Sequence, residues 1–102
     1  MSLPSIDPRK TVLVGEFLKE AFPGDHVYDA ENFDSDSHFY RINHGDSGKL
    51  KHRVYVSREF LDDHDEAGIL QRLRAWNVAA TIRQARAHKV LVTNTGCASS
   101  PS

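Results

Sequence analysis

Two runs of alternating apolar and polar residues, separated by a loop with two glycines, constrain the fold of this chain more than any other feature. The runs cover residues 37–43 and 50–57, and the loop between them contains Gly45 and Gly48. Alternation with a period of two is typical of strands that bury one face, and glycine permits the turn that joins them. Together they predict a β-hairpin.

The position of the loop predicts the pairing within this hairpin. A turn centred near residues 46–47 sets Phe39 opposite Tyr55, and it sets Arg41 opposite Arg53. One face of the hairpin is then apolar and is expected to face the core; it carries Tyr40, Ile42, Val54 and Val56. The opposite face is called the outer hairpin face below, and it carries Phe39, Arg41, Lys51, Arg53 and Tyr55.

Aromatic and basic side chains are interleaved on the outer hairpin face. Binding of single-stranded nucleic acid needs this combination, because rings stack on bases and cations meet phosphates. The alternative interpretation is a solvated sheet face whose rings are covered by the aliphatic stems of neighbouring arginines. The sequence leaves both interpretations open.

A helix and a strand are predicted before the hairpin. The helix begins at Asp7-Pro8, where an aspartate that can cap is followed by a proline suited to the first turn. It ends before Pro23-Gly24, a pair that stops helices. Residues 26–32 then predict a first strand, which gives a three-stranded antiparallel meander with the hairpin.

Two capping residues predict the elements that follow the hairpin. Ser57 caps a short helical turn, and Asp65 caps a long helix from about Glu66 to His88. Residues 89–94 contain a short apolar run that predicts a last strand, and residues 95–102 are expected to form a flexible tail.

The predicted fold class is α+β, in the order helix, meander, short helical turn, long helix and short C-terminal strand. A chain of 102 residues, with 39% hydrophobic and 26% charged residues, suits a single globular domain. We expect this domain to cover residues 1–94, with the tail at 95–102.

The long helix is predicted to carry apolar residues on two sides. One side is expected to pack on the sheet, since its residues follow helical spacing: Ile69, Leu73, Trp76 and Ala80. Val78 and Ile82 lie on the opposite side. Either the first helix covers them, or they contact a second copy of the protein. They are the candidate interface residues of a homodimer.

No stretch of the chain carries a catalytic, cofactor-binding or metal-binding signature. None of the six histidines forms an i, i+4 pair of the kind found in helical zinc sites, and no cysteines accompany them. The acidic residues that begin at Asp62 complement the dipole of the helix that follows. The sequence therefore predicts no cofactor and no metal ligands. A small metal-dependent enzyme using His44, His52 and Asp62 is the third functional hypothesis.

Charge and cysteine content bear on partners and location. The formal net charge of −1 argues against a protein that is basic over its whole surface, although a local basic patch is compatible with it. The single Cys97 indicates a reducing compartment. No apolar run reaches the roughly 20 residues of a membrane span, and the first residues lack signal-peptide features. We therefore expect a cytoplasmic protein without a membrane partner.

Three features occur together between Phe39 and Lys89, over about half the chain: a hairpin with a central glycine, the segment VSREFLDDH at 56–64, and a long helix with regularly spaced alanine and arginine. In this combination the chain resembles a family of small bacterial proteins of unknown function. The resemblance implies a bacterial origin and assigns no functional residue.

The absence of a reactive constellation favours a non-enzymatic module that binds a protein partner or a second copy of itself, in a regulatory role. The alternative is a nucleic-acid-binding domain that uses the outer hairpin face.

Overall fold

The computed structural model describes residues 8–32, 37–85 and 89–100, and these ranges contain four helices and five strands. The helices are α1 (Pro8–Ala21), α2 (Arg58–Asp63), α3 (Glu66–Ala75) and α4 (Val78–Ala85). The strands are β1 (His26–Asn32), β2 (Ser37–Asn43), β3 (Leu50–Ser57), β4 (Lys89–Thr93) and β5 (Gly96–Ser100). They form one small α+β domain.

The five strands form a single mixed sheet in the order β1-β2-β3-β4-β5. The first three make the predicted antiparallel meander, at the predicted bounds. The sheet is larger than predicted, because β4 lies parallel to β3 and β5 pairs antiparallel with β4. A parallel neighbour requires a crossover connection, which α2, α3 and α4 supply here.

The helices pack on one face of the sheet. Helix α1 contacts β1 and α3, while α4 lies over β3, β4 and β5. The strand side chains that face the helices are all buried: Tyr40, Ile42, Val54, Val56, Val90 and Val92. The four in the hairpin are those predicted from the alternation. Burial of the apolar face of the sheet is the main source of stability in such a layer arrangement.

The predicted long helix is two helices, so the prediction of one continuous element from Glu66 was wrong. Helix α3 ends at Ala75, its C-cap Trp76 donates its N–H to Arg72 O, and Asn77 has a φ of 55°. A residue in the left-handed region ends a helix, and asparagine adopts it more readily than most residues. His88, the predicted end, lies outside the described residues.

The break redirects Val78 and Ile82, the candidate interface residues. They are 1% and 0% exposed in α4, where they form part of the core against the sheet. A continuous helix would have turned them away from the sheet. The predicted interface at these two residues is therefore wrong, because both side chains are buried within the chain.

The predicted flexible tail is wrong over the described residues 96–100. Strand β5 pairs with β4 from Gly96↔Thr93 to Ser100↔Lys89. Cys97 packs against the core, and burial raises the pKa of its thiol, although a hydrogen bond with Thr81 opposes the shift. The side chains of this segment have little strand preference, so backbone pairing with β4 accounts for the strand.

Asn77→Ala is expected to lower the free energy of unfolding by about 1 kcal/mol, because a β-carbon without a compensating polar group is strained at positive φ. Asn77→Gly is expected to stay within about 0.5 kcal/mol of the parent protein, since glycine adopts this conformation freely. Urea denaturation measures both variants. An equal loss in the two would assign the effect to the amide side chain instead of the backbone.

Candidate nucleic-acid interface

The sheet face opposite the helices carries the candidate site. We call it the open sheet face and define it by nine outward residues of the strands: Tyr28, Phe39, Arg41, Arg53, Tyr55, Lys89, Leu91, Thr93 and Ala98. None of them is buried. Helix packing in the described part of the chain is confined to the other face. Tyr28, Arg41 and Ala98 are exposed, and the other six side chains are partly exposed.

The strand register arranges these side chains in two rows that cross the sheet. In the first row Tyr28 pairs with Arg41, Arg41 with Arg53, and Arg53 with the Lys89 of the parallel strand. We call this the cationic row. It crosses four strands, which lie about 4.8 Å apart in a β-sheet.

The second row lies two residues further along the strands and is mostly apolar. Phe39 pairs with Tyr55, Tyr55 with Leu91, and Leu91 with Ala98. We call this the aromatic row. Two residues of a strand advance by about 6.7 Å, so the aromatic row runs alongside the cationic row at that distance. The predicted pairings of Phe39 with Tyr55 and of Arg41 with Arg53 are confirmed.

The rings of the open sheet face contact each other and the cations. The Phe39 and Tyr55 ring centroids are 4.8 Å apart with an interplanar angle of 37°. The Arg41 guanidinium carbon lies 5.5 Å from the Tyr28 ring centroid, and Lys89 Nζ lies 5.4 Å from that of Tyr55. Tyr28 is 50% exposed, whereas Phe39 and Tyr55 are partly buried. These distances are within the range of aromatic and cation–π attraction.

The charge on this face has one sign. Among strand residues whose side chains the structure describes, the outward positions carry Arg41, Arg53 and Lys89 and no carboxylate. Asp29 is on β1, but the register pairs it with the inward Tyr40, and its Oδ2 lies 3.0 Å from His38 Nε2. The cations at these outward positions attract a polyanion locally, even though the net charge of the chain is −1.

Lys51 does not belong to the open sheet face, contrary to its predicted position. The register shifts after Ile42, so that Asn43 pairs with Leu50 and Lys51 is the extra residue of a β-bulge. Lys51 Nζ donates to Asp25 Oδ2 at 2.8 Å and lies 5.9 Å from the ring centroid of the buried Phe22. The bulge therefore directs this amine toward the end of α1.

Lys51→Met is expected to raise the pKa of the Asp25 carboxyl, which the Lys51 hydrogen bond holds below its ordinary value. Because the folded pKa is lowered, the pair stabilises the protein above about pH 3.9, and this contribution is lost as the pH falls below that value. Titration of the carboxyl by carbon NMR measures the shift. The cost in unfolding free energy at neutral pH is expected to be about 0.2–1 kcal/mol, and an unshifted Asp25 would contradict the assignment.

Tyr28, Lys89 and Leu91 join the site although the sequence analysis did not select them. Tyr28 could have been found from the alternation in residues 26–32, which puts it on the same face as Arg41. Lys89 and Leu91 could not, because their place depends on which strand lies beside β3 and in which direction it runs.

The residues of the metal hypothesis do not form a site in the structure. His52 is 5% exposed and packs on the Phe22 ring, with 5.1 Å between the ring centroids. Within residues 8–32, 37–85 and 89–100, no three His, Cys, Asp or Glu side chains are grouped so that they could share a metal ion.

The acidic run at 62–66 takes part in local contacts. Asp65 Oδ1 accepts from Gly68 N–H at 2.7 Å and caps α3, as predicted. Asp63 Oδ2 accepts from Asn94 Nδ2 at 2.8 Å, which connects the end of α2 to the turn after β4. These contacts give the run a structural role.

In the described ranges, no helix combines the length and the apolar character that a membrane span requires. No family model matches the sequence, and neither a curated protein nor a solved structure matches the chain. The resemblance to small bacterial proteins of unknown function therefore stays a prediction.

Proposed function

We propose that this protein binds single-stranded nucleic acid on the open sheet face, without catalysis. The observation that carries the proposal is the adjacency of the two rows: Arg41, Arg53 and Lys89 in one, Phe39 and Tyr55 in the next. A single strand that crosses the β-strands can follow the cationic row with its phosphates. Its bases then lie over the aromatic row, where stacking is sequence-tolerant.

Both chemical requirements of such binding are met on one surface. Stacking needs a ring with an accessible face: Phe39 and Tyr55 of the aromatic row are partly exposed, and Tyr28 at the end of the cationic row is 50% exposed. Phosphate contacts need cations, and the cationic row supplies Arg41, Arg53 and Lys89 on adjacent strands. The reducing compartment proposed from the single Cys97 and the proposed cytoplasmic location are both compatible with a nucleic-acid partner.

The competing interpretation is a solvated sheet face whose rings are shielded by neighbouring cations. Arg41 over Tyr28 and Lys89 over Tyr55 provide such shielding in the unbound protein. An exposed cation–π contact is worth only about 0.5–1 kcal/mol, so a base and a phosphate can replace it. The affinity of the protein for single-stranded nucleic acid therefore distinguishes a face that is only shielded from a face that binds.

The test is a titration of labelled single-stranded DNA and RNA by fluorescence anisotropy at low and at physiological salt. Affinity is expected to fall as salt rises, because bound phosphates release counterions. Absence of binding at low salt would refute the proposal.

Arg41→Glu is expected to weaken this binding about tenfold or more at low salt and to reduce the salt dependence, because it reverses one charge of the cationic row. Lys19→Glu is the matched control, since it makes the same change in charge at an exposed position of α1, on the helix side of the sheet. Equal losses in both variants would indicate a net-charge effect rather than a site.

A protein-binding module remains the second candidate, and β1 is the observation in its favour. In the described part of the chain β1 has a neighbour on one side only, and such an edge can add a strand from another chain. The occupant we propose is a second copy, paired edge to edge. Sedimentation equilibrium at increasing protein concentration tests it, and a constant monomer mass would exclude this dimer.

A further inference from the structure

A cavity of about 230 Å³ opens beside the aromatic row, at the carboxyl ends of β3 and β4. Because these strands are parallel, their last residues, Ser57 and Thr93, lie at the same end of the two strands. Tyr55 and Leu91 of the aromatic row line the cavity, and Lys89 of the cationic row lines it as well. The cavity therefore continues the open sheet face.

We infer that this cavity takes one unstacked nucleobase of the bound single strand, an inference that rests on the proposed function. The lining has the chemistry that a base requires: an aromatic ring at Tyr55, an aliphatic wall at Leu91, and a hydroxyl at Ser57. Recognition of single strands commonly combines stacking of a splayed base with hydrogen bonds to its polar edge.

The size of the cavity suits a small group. Sites that enclose drug-sized ligands measure about 300–1,000 Å³. A cavity of about 230 Å³ is smaller and suits one base, with its sugar and phosphate left outside. Lys89 at the cavity is then placed to meet that phosphate.

The hydroxyl of Ser57 is fixed in place by the chain itself. Ser57 Oγ accepts a hydrogen bond from Phe60 N–H at 3.0 Å as the N-cap of α2. A hydroxyl that accepts in this way still carries a proton that it can donate. Ser57 thus offers a donor of defined position to a carbonyl or ring nitrogen of the base.

Binding requires one rearrangement at Lys89. Its Nζ lies over the Tyr55 ring in the unbound protein, 5.4 Å from the centroid. An entering base takes the place of the amine against the ring, and the amine moves to the phosphate. The exchange replaces a cation–π contact by a stacked base and a charge-assisted contact to phosphate.

Methyl NMR of the full chain tests the inference, with adenosine 5′-monophosphate as the probe and ribose 5-phosphate as the control without a base. We expect the nucleotide to shift the Leu91 and Thr93 methyl signals in a saturable manner, through the ring current of the base. The methyl signals of Val12, which is 57% exposed on α1, are expected to stay in place. Ribose 5-phosphate is expected to leave all three residues unshifted.

The titration with single strands keeps the two proposals separate. If single strands bind but the nucleotide leaves Leu91 and Thr93 unshifted, or if ribose 5-phosphate shifts them equally, the base pocket is refuted and the proposed function stands. If the nucleotide shifts both residues but no single strand binds at low salt, the proposed function is refuted, and with it the assignment of the pocket to a strand.

Discussion

Ile82→Ala is expected to lower the free energy of unfolding by about 2–5 kcal/mol, the range for large-to-small substitutions in protein cores. Ile82 is 0% exposed on α4, which lies over β3, β4 and β5. Truncation removes apolar contacts and leaves a cavity between helix and sheet that neighbouring side chains fill only in part. Urea denaturation followed by circular dichroism measures the change.

Val12→Ala is the matched control for this loss. Val12 is 57% exposed on α1, so its truncation is expected to change the free energy of unfolding by no more than about 0.5 kcal/mol. If Ile82 lay on a dimer interface instead, its truncation would leave the stability of the monomer nearly unchanged. The change would then appear in the mass measured by sedimentation.

Tyr55→Ala is expected to weaken binding of single-stranded nucleic acid about 5- to 150-fold, which corresponds to about 1–3 kcal/mol for the loss of one stacked base. Tyr55 is central to the aromatic row, between Phe39 on β2 and Leu91 on β4, and it lines the cavity. Removal of the Tyr55 ring takes away a stacking surface from the aromatic row and from the cavity. Fluorescence anisotropy with labelled single strands measures the effect.

Tyr55→Phe is the matched control, because it keeps the ring that stacks and that packs 4.8 Å from Phe39. Its affinity is expected to stay close to that of the parent protein. The salt dependence of Tyr55→Ala is also expected to be unchanged, since the variant removes no charge, whereas Arg41→Glu reduces it. An equal loss in Tyr55→Phe and Tyr55→Ala would argue against stacking and assign the effect to the hydroxyl.

Much of the fold could be predicted where the signals are local. The alternation in residues 37–57 identified the buried Tyr40 and Ile42 and the pairing of Phe39 with Tyr55, because a strand that buries one face repeats every two residues. The caps at Ser57 and Asp65 were predicted from residue type, because their side chains accept N–H groups only three residues away.

The candidate site could be predicted only in part. Arg41 and Tyr55 followed from the hairpin, but Lys51 did not follow the alternation, because a β-bulge gives it no partner on β2 and turns it toward Asp25. A bulge depends on how two strands and their loop fit together. Nothing in the alternation of one strand reports it.

The sequence by itself determined the meander, the apolar face of the sheet and the starts of α1, α2 and α3, because these depend on residues close along the chain. Tertiary structure alone decided the burial of Ile82, the parallel pairing of β4 and the inclusion of residues 96–100 in the sheet. The first two depend on contacts between segments that are distant in sequence, and the third depends on pairing with β4, which has its place in the sheet only beside β3. The break at Asn77 is a local conformation that the helical spacing of the apolar residues does not indicate. The surface that we propose as the site is partly of this second kind, since Lys89 and Leu91 extend its two rows only once β4 lies beside β3.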